Sequence, residues 1–136
     1  MSPLTIYLAR LFGLGMLLMC AMFAVRPEVA LAAIQSMMVN PGLLLMAGLF
    51  AFVAGLAVVI GHNRWSGGVL TIVVTVLGWL TLIKGVAVLV ARPPALATLY
   101  HGIGYPGSFR WVMAVAALAS LWLTWAAFRA RPTTGT

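Results

Sequence analysis

Few side chains in this sequence could do chemistry, and the first of them is Lys84, a single cation in the apolar run from Val69 to Ala91. A Lys or Arg costs roughly 2.5–3.5 kcal/mol at the centre of an inserted helix, so a cation kept there points to a pair, a pathway or a route to the interface. On a helical wheel Thr71, Thr75, Gly78 and Gly85 share one arc, with Thr81 between that arc and Lys84. A small, hydroxyl-bearing face lets a neighbouring helix approach closely, and Lys84 sits on its shoulder. Lys84 is about seven residues from the end of the run, roughly 10 Å at 1.5 Å per residue, so its ammonium can snorkel to the nearer interface. The sole acid, Glu28, belongs to the same half of the membrane. Snorkelling or a structural Glu28–Lys84 pair is the expected role. The alternative is a pathway for an anion or polar substrate past Lys84, Thr81 and Thr75.

Enzymatic constellations are nearly absent, and no catalytic residue, cofactor or metal is expected. General acid–base work by paired carboxylates needs two acids, and the chain has one. Cys20 lies mid-span with both histidines far away in the topology, so it has no base to activate it. Gly102, Gly104 and Gly107 spell G-x-G-x-x-G before a helix, but no strand precedes them and no Asp or Glu follows. His62 and His101 fall on opposite faces of a hydrocarbon core about 30 Å thick, so one subunit cannot bring both to one metal or haem. Interfacial polar roles are expected for both.

The elements that must position these residues are membrane helices. The chain of 136 residues is 64% hydrophobic and 7% charged. Soluble domains carry about 25% charged residues, so too little polar surface exists here to cover a water-soluble core. The net charge of +7 comes from one Lys and seven Arg against Glu28. Arg10, Arg26, Arg64, Arg92, Arg110, Arg129 and Arg131 stand singly at span ends, as anchors for lipid headgroups do, and do not form the stripe that nucleic-acid binding requires.

Apolar runs and punctuation predict four spans at about 4–25, 41–60, 69–91 and 108–128. Leu17-Leu18-Met19-Cys20 loosely resembles a lipoprotein cleavage box, but bulky Met19 and the length of the run argue for a retained span. Segment 28–40 is too short to cross and suits an interfacial helix, with Pro27 in its first turn and Glu28 at its positive end. Asn40 and Pro41 serve as cap and first residue of the second span. A polar turn, 62–68, precedes the third span, and a second interfacial helix is expected at about 95–103. Ser108 is expected to cap the fourth span. The fold class is therefore all-α: one integral membrane domain over 1–136, a four-transmembrane-helix bundle with short interfacial helices in the first and third connections.

Small-residue ridges Ala47-x3-Ala51-x3-Gly55 and Ala116-x3-Ser120-x3-Thr124 signal helix packing, within the bundle or between copies. Trp65, Trp111, Trp125 and Tyr7 fall where an aromatic belt belongs, whereas Trp79 lies mid-span and is expected to pack. Ser66-Gly67-Gly68 beside Arg64, and Gly107-Ser108 beside Arg110, are helix starts suited to lipid phosphates. Loop charges are almost balanced: Arg10, Arg64, Arg129 and Arg131 on the face of the termini, against Arg26, Arg92 and Arg110 with Lys84. The terminal arginines favour both termini in the cytoplasm over insertion in both orientations.

His62-Asn63-x-Trp65, then Gly78-Trp79-x2-Leu82-x-Lys84-Gly85, resembles a pattern in small, uncharacterised bacterial four-helix integral membrane proteins. The likeness covers about a quarter of the chain, implies a bacterial inner membrane and implies no particular activity. The four-span size is also similar to that of small multidrug-resistance transporters, which rely on a membrane-embedded Glu in the first span. Thr5 to Val25 contains no acid, which argues against proton-coupled drug export. Lipids, a homo-oligomer or a larger membrane complex are the expected partners. An accessory, assembly or self-associating subunit is the leading expectation, ahead of a small transporter or channel.

Overall fold

The computed structural model describes residues 2–91, 98, 102 and 107–130. Among them the chain is helical throughout, without a strand: α1 Pro3–Val25, α2 Pro27–Val39, α3 Pro41–Gly61, α4 Val69–Val90 and α5 Phe109–Arg129. The four helices other than α2 are each long and apolar enough to cross a membrane. The bounds fall within a residue of those expected from the apolar runs. The expected interfacial segment 95–103 lies, Thr98 and Gly102 apart, outside the described residues.

The helix starts have local causes. Ser2 Oγ accepts the Thr5 N–H at 3.2 Å, and Pro3 occupies the first turn of α1. Pro27 and Glu28 open α2. Asn40 Oδ1 accepts from the N–H groups of Gly42 and Leu43 at 3.0 and 3.1 Å, so one side chain satisfies two of the free donors at the start of α3. Gly67 and Gly68 lead into α4 with φ of 111° and 108°, a region that side-chain-bearing residues rarely adopt. Ser108 departs from expectation. It occupies the cap position of α5 but has helical backbone angles, and its hydroxyl makes no capping bond. A cap hydroxyl reaches back to the first turn from an extended backbone, and Ser108 lacks that backbone.

The bundle is built from two antiparallel pairs, α3 with α4 and α1 with α5, joined mainly through α1 and α4. In the first pair the chains nearly touch. A Cβ at Gly85 would clash with the backbone of Phe52, and one at Gly55 with the backbone of Leu82. One at Gly78 would lie 2.5 Å from Cγ1 of Val58, and one at Gly48 2.9 Å from Cγ1 of Val88. The buried stripe of α3 is thus Leu44, Gly48, Gly55 and Val58. Half-buried Ala47 lies at its side, while Gly55 of the same expected ridge is buried and the Ala51 backbone lies against Gly85. In the second pair a Cβ at Gly13 would meet Thr124 Oγ1 at 2.6 Å, which seats the Ser120–Thr124 ridge against α1.

All four long helices meet in a core of Ala9, Val58, Leu70, Val74, Leu123 and Ala127. These residues lie toward the start of α1, the end of α3, the start of α4 and the end of α5, so the bundle is knitted together at one end. Large apolar side chains such as Phe50, Leu80, Val115 and Leu118 point outward, which suits helices long and apolar enough to cross a membrane.

Candidate functional site

The most structured polar site lies at that knitted end, where α3 stops and the chain turns into α4. His62 ends α3, its N–H donating to the Val58 carbonyl at 2.7 Å. The connection then runs alongside the first turns of α4 and is held there by Thr75. Three carbonyls lie within reach of the Thr75 hydroxyl, those of Arg64 at 2.8 Å, His62 at 3.1 Å and Thr71 at 3.1 Å. A hydroxyl has one proton and two lone pairs, so Thr75 donates to one of them at a time and also accepts the Arg64 N–H at 3.3 Å. Thr71 in turn donates to the Gly67 carbonyl at 3.2 Å.

Asn63 is the second hinge of this site. Its side-chain carbonyl accepts the indole N–H of Trp65 at 2.9 Å and that of Trp79 at 3.4 Å. Trp79 therefore has a polar partner in the turn and does not serve only as packing, because the connection runs back along α4 to meet it. Asn63, Trp65, Thr75 and Trp79, up to sixteen residues apart in sequence, are linked here.

His62 is the anomaly. It is 1% exposed, yet neither ring nitrogen makes a hydrogen bond. Burial pushes its pKa below the ordinary 6.5. The Thr71 backbone, close but not in good hydrogen-bonding geometry, works the other way, and the Arg64 charge adds to the lowering. His62 is consequently a neutral, buried ring at the junction of α3 and α4.

Lys84 and Glu28 are both exposed, and the described residues form no ion pair between them. Of the two expected roles, snorkelling or a Glu28–Lys84 pair, the pair is not formed among the described residues. Lys84 projects from the outside of α4, while Thr71, Thr75, Gly78 and Gly85 are buried on the face that packs. Thr81 is half-buried and donates to the Leu77 carbonyl at 2.7 Å within its own helix. In the same way Ser120 donates to Ala117 and Thr124 to Ser120, at 3.0 and 2.8 Å.

Of the two helix starts expected to suit phosphates, the one at Ser66 is exposed, and the backbone of Arg64 is engaged with Thr75. At the other, the Ser108 hydroxyl is buried without a partner among the described residues and Arg110 is exposed beside it. His101 lies outside the described residues. Among the described residues no three His, Cys, Asp or Glu side chains gather in a way that could hold a metal.

Arg10 has a role that its position near a span start did not suggest. Its Nε donates to the Ala127 carbonyl at 3.3 Å, and its guanidinium lies 4.6 Å from the centre of the Phe128 ring. A cation thus meets the negative end of α5 and ties α1 to it. The Arg129 guanidinium likewise lies 4.2 Å from the centre of the Trp125 ring. The legible signal was an Arg one helical turn or two inside α1, opposite the aromatic and basic last turn of an antiparallel neighbour.

Fold and site together define an α-helical protein with four helices long and apolar enough to cross a membrane and a hydrogen-bonded turn at the knitted end of the bundle. No protein-family model, curated protein or solved structure matches the chain.

Proposed function

We propose that this chain is a multi-pass protein of the bacterial inner membrane with both termini in the cytoplasm, acting as a non-catalytic accessory, assembly or self-associating subunit. In this reading α2 lies along the membrane surface, and the partners are lipids with a second copy or a larger membrane complex. The observation that carries it is the fate of the polar groups. Thr75, Thr81, Ser120 and Thr124 all spend their hydroxyls on backbone carbonyls, and Lys84 stands on the outer surface of α4. A transport route needs polar groups converging at mid-depth, often beside a broken helix, and here the spans are continuous.

The test is purification from native membranes with identification of co-purifying proteins and measurement of oligomeric state. A stable homo-oligomer or a defined complex is expected, and a monomer without partners would overturn the proposal. Lys84→Met, assayed in reconstituted vesicles, addresses the rival directly. Anion flux that is present in the native protein and lost on this substitution would establish a pathway past Lys84 in place of an accessory role.

A further inference from the structure

The end of the bundle away from the His62 turn carries a feature that deepens the lipid-partner part of the proposed role and rests on the reading of the chain as a membrane protein. Beyond the close contact of Gly13 with Thr124, residues of α1 and α5 line a cleft of about 620 Å³. This volume falls within the about 300–1,000 Å³ typical of small-molecule sites. Small side chains, Ala21 and Ala24 on α1 and Ala114 and Ala117 on α5, line the opposed walls and leave the space between them open. Larger apolar groups such as Leu17 and Met113 complete a slot along the helices.

One charged residue, Arg110, stands among the lining groups. Arg110 is exposed at the first turn of α5, where the cleft reaches the end of the helix pair. No acid lines the slot, and the sole acid of the chain, Glu28, is exposed on α2. The buried hydroxyl of Ser108, two positions before Arg110, is a donor with no partner among the described residues. The opposite end offers a contrast, since Arg64 lines neither this cleft nor the groove between α1, α4 and α5.

An apolar slot running along the spans, with a cation where it meets the headgroup region, is complementary to one ligand chemistry. We infer that the α1–α5 cleft is a binding site for an anionic phospholipid, with one acyl chain between the alanine-lined walls and the phosphate at Arg110. The chain is held by dispersion and exclusion from competing lipid, and selection among lipids comes from the charge.

Reconstitution of the full chain in phosphatidylcholine vesicles, with a trace of spin-labelled phosphatidylglycerol or spin-labelled phosphatidylcholine, tests this by comparing the motionally restricted fractions. Phosphatidylglycerol is expected to be favoured. Arg110→Gln should reduce that preference by roughly five-fold, the scale of one Arg near an anionic surface. Arg64→Gln should leave the preference unchanged, and Ala117→Phe, which fills the slot, should lower the restricted fraction of both lipids. Inorganic phosphate should not compete, because it lacks the chain. The inference is overturned if Arg110→Gln leaves the preference intact, if Arg64→Gln reduces it equally, or if inorganic phosphate displaces the lipid. Helical content by circular dichroism accompanies each variant. If Ala117→Phe fails to fold, the comparison of Arg110→Gln with Arg64→Gln decides the matter alone.

Discussion

The hydroxyl of Thr75 lies 2.8 Å from the carbonyl of Arg64, eleven residues earlier in the chain, and that contact fixes the turn between α3 and α4. Thr75 also reaches the carbonyls of His62 and Thr71, and it is 1% exposed, so no water can replace it from outside. Thr75→Val keeps the shape and removes the hydroxyl, leaving buried backbone groups unpaired. A loss of about 1–3 kcal/mol in bundle stability is expected by unfolding in mixed micelles, with Thr75→Ser restoring most of it.

Gly85 rests directly on the backbone of Phe52, where no flexible side chain can yield. Gly85→Ala gains up to about 1 kcal/mol of helix propensity but forces α3 and α4 apart, for an expected net loss of about 1–3 kcal/mol. Gly15 has open space where its Cβ would stand, so Gly15→Ala should be neutral or slightly stabilising. Thermal midpoints of the two variants in one detergent provide the comparison, and equal midpoints would refute the close approach.

The Arg10–Phe128 stack predicts coupling between α1 and α5. A double-mutant cycle of Arg10→Gln and Phe128→Leu should return about 0.5–2 kcal/mol of interaction energy. Arg10→Lys should recover only part of it, because an ammonium lacks the planar face that lies over the ring. Additive single effects would mean that the two residues act separately.

His62 makes stability depend on pH. The folded protein holds the ring neutral with a pKa below 6.5, whereas the unfolded chain takes up a proton near 6.5. Above that value both states are neutral and the difference vanishes. As pH falls through 6.5 and then through the lowered folded value, the unfolded state binds the proton first and stability is lost. The unfolding midpoint should therefore drop as pH falls through 6.5 toward the lowered folded value, and His62→Phe should flatten that portion of the profile.

Much of the architecture is legible in the sequence because its causes are local. Span length follows from runs of apolar residues, and the start of α3 from an Asn-Pro pair that both caps and initiates a helix. The starts of α1 and α2 carry Pro in the same way. Even the packing face of α4 is visible, since Thr71, Thr75, Gly78 and Gly85 fall on one arc and all are buried.

What the sequence could not express is which face meets which partner. Between apolar helices in hydrocarbon no hydrophobic gradient chooses a neighbour, so pairing is decided by where small residues of two helices coincide in depth. That coincidence sets Gly55 on Leu82 and Gly13 on Thr124, and it divides the bundle into two pairs. The same pairing turns Lys84 outward, away from Glu28, and carries Arg10 to the last turn of α5. His62 is polar in composition and sits at a span end, yet the turn clasped by Thr75 buries it. Length, polarity and caps are properties of the chain itself. Pairing, burial and the partners of its few charged groups are decided only by the close approach of helices distant in sequence.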